Sequence, residues 1–172
     1  YKTVLSDIKY VKAFVWTAFL TVVCTLLSLI MTTLCAYPLI FDKLKGRGIF
    51  NIIITITMFF NAGTRPNYLL MKSIGFLDSP LSLIIPSCLS IFNMIIMRSF
   101  FYGVPDSLRE AAEIDGAGPI RVLIQVYLTL SLPVIATLSL FYAVGRWNGF
   151  SDALMYLRSS DSRVYWPIQL LL

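Results

Sequence analysis

The chain has 172 residues, of which 58% are apolar and only 13% charged, with a formal net charge of +5 and a mean hydropathy of +0.79. Those proportions lie outside the balance of an ordinary globular domain and argue against a soluble core ringed by charged helix faces. There is no histidine, and the basic residues are scattered, which argues against imidazole chemistry and nucleic-acid binding respectively.

Four uncharged runs follow one another, over residues 13–41, 48–64, 79–97 and 122–145. A spanning helix needs roughly 20 mostly apolar residues, so three runs qualify by length and 48–64 sits near the lower limit. We therefore expect an all-α integral membrane protein, a single transmembrane domain over 1–172 with four transmembrane helices at about those positions. The first run is too long for a cleaved secretory signal, and no basic stretch with a following cleavage site precedes it. Pro38 near its end, Pro86 in the third run and Pro133 in the fourth each remove a backbone donor and predict a kink. Packing kinks are commoner than moving hinges. Between the first two runs, Lys43, Lys45 and Arg47 make a dense basic turn.

Asn93 in the third run and Gln125 in the fourth are amides in apolar surroundings, suited to bonding neighbouring helices more than to touching substrate. Trp147 and Asn148, just past the fourth run, are better ligand candidates, since aromatic faces stack on sugar rings and amides bond hydroxyls. Interfacial anchoring is the commoner role for such a tryptophan. With Asn93 they form the candidate substrate pathway.

The polar island at 105–121 separates the last two runs. Ser107 and Glu110 stand at capping-box spacing. Gly116 supplies the left-handed residue that stops a helix, and Pro119 suits the first turn of the next. The result is a compact knob outside the bilayer, read as a docking element. Glu110 offers a charge, Ala111 and Ala112 permit close approach, Leu108 and Ile114 supply apolar contact, and Asp115 with Gly116 closes the turn. Cys24, Cys35 and Cys88 are odd in number and lie in apolar runs, which reads as small hydrophobes and not as ligands. The chain lacks the Gly-x-x-x-x-Gly-Lys-Ser/Thr phosphate loop. We expect no catalytic residue, no metal site and no cofactor bound by this chain.

Glu110-Ala111-Ala112, three residues, Gly116, nine residues, then Val126-Tyr127-Leu128 resembles the EAA loop of permease subunits from binding-protein-dependent ABC importers. Thr129 stands where that family has proline. Asp115-Gly116-Ala117, Ala36-Tyr37-Pro38-Leu39, Tyr68-Leu69-Leu70 ahead of Leu77-Asp78, and Trp147-Asn148 look like the carbohydrate-uptake, maltose-type branch. The resemblance implies the ABC importer permease fold, with this chain as the central part of a six-helix subunit. It implies a multi-pass protein of the bacterial plasma membrane, among membrane lipids. Its partners would be two ATPase subunits holding ATP and Mg and docked at residues 108–116, a second homologous permease, and an extracytoplasmic solute-binding protein delivering an oligosaccharide or related carbohydrate. It also places the EAA loop and 42–47 inside and 65–78 outside, with Arg146 and Arg158. Two other classes stay open. A secondary transporter or channel would lack coupling charges, since the four runs contain no Asp, Glu, Lys or Arg. An integral-membrane lipid enzyme would need an acid, base or metal cluster at one membrane face, and none is visible.

Overall fold

The computed structural model describes residues 8–42, 44–60, 62–159 and 165–171, so Lys43 of the basic turn lies outside the described residues. Among them the regular structure is helical, with no strand. Helix α1 runs over Ile8–Ala36. Two of its buried threonines bond back along the helix: Thr17 Oγ1 donates to the Ala13 carbonyl at 2.7 Å and Thr21 Oγ1 to that of Thr17 at 2.8 Å. The helix ends at Ala36 and, with Tyr37 still helical in its backbone, passes into a 3-10 turn over Pro38–Ile40, where Pro38 has no N–H to donate to the helical ladder.

Helices α2 (Arg47–Phe59) and α3 (Thr64–Ile74) follow. Helix α4 (Leu81–Ile84) passes into a 3-10 turn at Ile85–Ser87, where Pro86 cannot donate to the helical ladder. Helix α5 (Ile91–Tyr102) starts at Ser90, whose hydroxyl accepts the Asn93 amide at 3.4 Å. The polar island forms α6 (Asp106–Ile114) and α7 (Pro119–Val122), and α7 enters a π-helical turn at Leu123–Leu128. Helices α8 (Leu132–Asn148), α9 (Ser151–Tyr156) and α10 (Ile168–Leu171) complete the order.

The expected count of four spans is not confirmed. Among the described residues one helical stretch, Ile8–Ile40, is long and apolar enough to cross a membrane alone. The count reaches three if Leu81–Ser87 with Ile91–Tyr102, and Pro119–Leu128 with Leu132–Asn148, each serve as one broken span. Arg47–Phe59 is apolar but has 13 residues. Composition identifies apolar runs, whereas proline and the π turn decide where they break. The fourth run shows this most clearly, bending by 87° between Leu128 and Leu132. Pro133 cannot donate to the Thr129 carbonyl, and the Thr129 hydroxyl bonds back to Ile124 at 3.4 Å. A threonine at the family's proline position thus still accompanies a sharp bend.

The chain divides into two compact units, one comprising Tyr1–Leu27, Asn61–Cys88 and Phe141–Leu172, the other Ser28–Phe60 and Leu89–Leu140. The first packs Leu20, Cys24, Leu83, Ala153 and Leu157 together. The second is built on Met94, Met97, Phe101, Tyr127 and Leu138, with Ala36 and Leu39 from the end of α1 and the turn beyond it. Helix α2 has no buried residue although most of it is apolar, an exposed surface suited to lipid or a partner subunit.

Candidate functional site

The knob at 106–118 is closed by a Schellman turn. The Ala117 amide donates to the Ala112 carbonyl at 2.9 Å and the Gly116 amide to that of Glu113 at 3.0 Å. Gly116 has φ +79, the left-handed conformation its position predicts. Asp115 caps the helix through its backbone, which donates to the Ala111 carbonyl at 3.0 Å. Pro119 then opens α7 at a position where its missing N–H costs nothing.

The start of the knob corrects the capping-box expectation. Helix α6 begins at Asp106 after an extended Pro105, so Ser107 lies inside the first turn and no side chain caps the helix. Pro105 fixes the entry, and Asp106 sits where the helix dipole favours a negative charge. Glu110 is therefore free of a capping role. It stands exposed, with one oxygen 3.7 Å from Arg109. Ala111 is exposed, but Ala112 packs against the core of the second unit, so its small size serves the knob's own seating. Leu108, Ile114 and Ile120 are 44%, 85% and 72% exposed, an apolar surface without cover.

The knob rests on an aromatic cradle. The rings of Tyr37, Phe41, Phe101 and Tyr127 meet edge-on, with Tyr37 5.0 Å from Phe41 and 5.3 Å from Tyr127. The Tyr37 hydroxyl donates to the Pro119 carbonyl at 3.1 Å. Arg109 bonds Glu113 at 2.9 Å and Asp106 at 3.3 Å, and its guanidinium lies 5.8 Å over the Phe41 ring. The Glu113 hydrogen bond pushes the Arg109 pKa upward, against the opposing effect of desolvation. A cavity of about 260 Å³ lies beside this contact, lined by Phe41, Asp42, Tyr102, Asp106, Arg109 and Tyr127. Arg47 pairs with Asp42 and with the Tyr102 hydroxyl at its edge. Tyr37 and Arg109 carry the seating, and the spacing of Arg109 to Asp106 and Glu113 (three and four residues) was the available signal.

The substrate-pathway residues fall in different units. Asn93 is buried in the second unit, whereas Trp147 and Asn148 belong to the first. The Trp147 ring meets Phe14 edge-on at 5.7 Å, and its carbonyl accepts from the Gln169 amide. Asn148 is exposed at the end of α8. Gln125 bonds Arg121 on its own helical stretch at 3.1 Å and not a neighbouring helix. Arg146 was legible only as an outer charge. It is buried, donating to the Leu83 carbonyl at 3.3 Å and standing 3.6 Å from Asp152. All three cysteines are free, and among the described residues no group of His, Cys, Asp or Glu is arranged to hold a metal.

A family model described as "Binding-protein-dependent transport system inner membrane component" matches residues 10–169. The polygalacturonan/rhamnogalacturonan transport system permease protein YtcP of Bacillus subtilis is 42% identical over 167 residues, covering 97% of this chain and 57% of that protein. Protein LplC of the same organism is 42% identical over 172 residues, covering all of this chain and 57% of its own length. A crystal structure of a bacterial ABC transporter involved in the import of the acidic polysaccharide alginate superposes with a TM-score of 0.93 at 36% identity, over 99% of this chain and 60% of that one. The chain thus spans somewhat more than half the length of these relatives.

Proposed function

Because this chain belongs to the family of binding-protein-dependent transport system inner membrane components, we propose that it serves as a permease subunit of a bacterial ABC importer for oligosaccharides or related carbohydrates. The observation that carries this reading is the knob itself. It is a stiff, glycine-closed loop seated on an aromatic cradle, with Leu108 and Ile114 left uncovered for a partner. Similarity to a polygalacturonan/rhamnogalacturonan transport permease and to an alginate importer supports a glycan as cargo.

In this account two ATPase subunits carry ATP and Mg and dock on residues 108–116. A second, homologous permease completes the pathway across the plasma membrane, and an extracytoplasmic binding protein delivers the sugar. This chain does no bond chemistry. Its residues transmit displacement: the knob moves as a body because Gly116 fixes its angle, and Tyr37–Pro119 and Arg109–Phe41 pass the movement to the end of α1 and to the bend before α8. Packed interfaces of this kind switch between discrete arrangements, which is what alternating access requires.

The test is uptake by the complete complex, reconstituted in proteoliposomes and offered a panel of labelled glycans with and without the ATPase subunits. ATP-dependent accumulation of a glycan supports the proposal. Uptake that persists without the ATPase would make the subunit a secondary transporter or channel instead.

A further inference from the structure

In the first unit, a cavity of about 300 Å³ lies between α3 and the residues after α9, with Arg65, Tyr68, Leu69, Met155 and Arg158 on its walls. A larger cavity of about 680 Å³ shares Arg158 and Met155 and adds Asn67, Ser87 and Phe150. Both volumes fall within the range of about 300–1,000 Å³ used by small-molecule sites.

Arg158 is held in place from two sides. Oδ1 of Asp78 accepts the backbone amides of Arg158 and Ser159, each at 2.7 Å, and the Asp78 amide donates to the Tyr156 carbonyl at 3.0 Å. Asp78 does this from a left-handed conformation, φ 58, which aspartate tolerates better than most residues. The Arg158 guanidinium lies 5.2 Å over the Tyr68 ring. The backbone clip and the ring together aim a planar cation along the cavity wall.

The charge balance favours an anion. Asp152 lines the larger cavity, but it faces buried Arg146 at 3.6 Å. Among the described residues no carboxylate pairs with Arg65 or Arg158, and both are exposed. Guanidinium groups match carboxylates in planar, two-point contact, and the Phe150 ring with the Asn67 amide offers what a pyranose and its hydroxyls need. We propose that Arg158, with Arg65 beside it, forms a subsite for the carboxylates of an acidic, uronate-bearing oligosaccharide at the outer face of this subunit. The proposal rests on the carbohydrate reading above and adds the sign of the sugar's charge.

The experiment uses the complete transporter with its binding protein in proteoliposomes. The probes are a labelled trigalacturonate and its carboxyl-reduced, neutral counterpart, and the variants are Arg158→Ala, Arg158→Lys and Arg65→Ala. Loss of a charge-assisted contact predicts that Arg158→Ala raises the half-saturating trigalacturonate concentration about tenfold or more. Arg65→Ala raises it less, and Arg158→Lys recovers part of the loss. Uptake of the neutral sugar stays at the wild-type level and doubles as the control for assembly. An equal effect on both sugars, as expected if Arg158 docked the binding protein instead, would overturn the subsite. So would unchanged trigalacturonate uptake, or wild-type uptake of neutral glycans alone. Failure of the wild-type complex with every glycan would reject the carbohydrate reading itself, a separate result.

Discussion

The Tyr37 hydroxyl donates to the Pro119 carbonyl at 3.1 Å, which joins the end of α1 to the residue that opens the second leg of the knob. Eighty-two positions separate them in the chain. In the proposed mechanism this bond ties the knob directly to the end of α1, the longest helix among the described residues.

Tyr37→Phe therefore keeps the ring contacts with Phe41, Phe101 and Tyr127 but removes that bond. The expected loss of stability is small, about 1 kcal/mol. The larger effect should be on coupling, with ATP hydrolysis less dependent on binding protein and sugar. Comparing basal and stimulated hydrolysis in the purified complex reads this directly; an unchanged ratio would confine Tyr37 to packing.

Arg109→Ala should loosen the knob from within. Its partners Asp106 and Glu113 are exposed, so each ion pair contributes little, about 0–1 kcal/mol. Together with the contact over Phe41 they hold one rotamer. Faster amide hydrogen exchange across Asp106–Ile114, with the rest of the complex unchanged, is the expected outcome.

Topology offers an independent check. Single cysteines at Lys45 and Ile114, both exposed, should be shielded from an impermeant thiol reagent in intact cells, and one at Lys72 should react. Reaction at position 114 from outside would invert the arrangement and remove the docking role.

Trp147 and Asn148 should differ in kind. The half-buried Trp147 ring packs on Phe14, so Trp147→Ala is expected to lower stability by about 1 kcal/mol and reduce assembly. Asn148 is exposed and makes no such contact, so Asn148→Ala should leave assembly intact. If it also leaves uptake kinetics intact, Asn148 has no part in the pathway.

How much was legible in the sequence follows from which interactions are local. Gly116 and the turn around it depend on a few adjacent residues, and their geometry agrees with the spacing. The capping box failed for a local reason too: Pro105 outcompetes Ser107 as the entry point. The four-span count is not confirmed, because apolar length says nothing of where the breaks after Ile84 and at 129–131 fall. The aromatic cradle was out of reach, since Tyr37, Phe101 and Tyr127 are brought together only by packing. Arg146 is a related case. The sequence places its charge on the outer side and gives no sign of burial, yet the Leu83 carbonyl and Asp152 hold it inside.

Gly116→Val tests the central claim most directly. A Cβ added at Gly116 meets no neighbouring atom within 4 Å, so the cost of a β-branched residue at φ +79 is chiefly conformational and local, about 1–2 kcal/mol. The measurement is ATP hydrolysis and glycan uptake by the purified, reconstituted complex, with and without binding protein and sugar. The account predicts normal membrane insertion, with sugar-stimulated hydrolysis and uptake lowered together. Wild-type stimulation in Gly116→Val would contradict it, because the knob would then not carry the stroke.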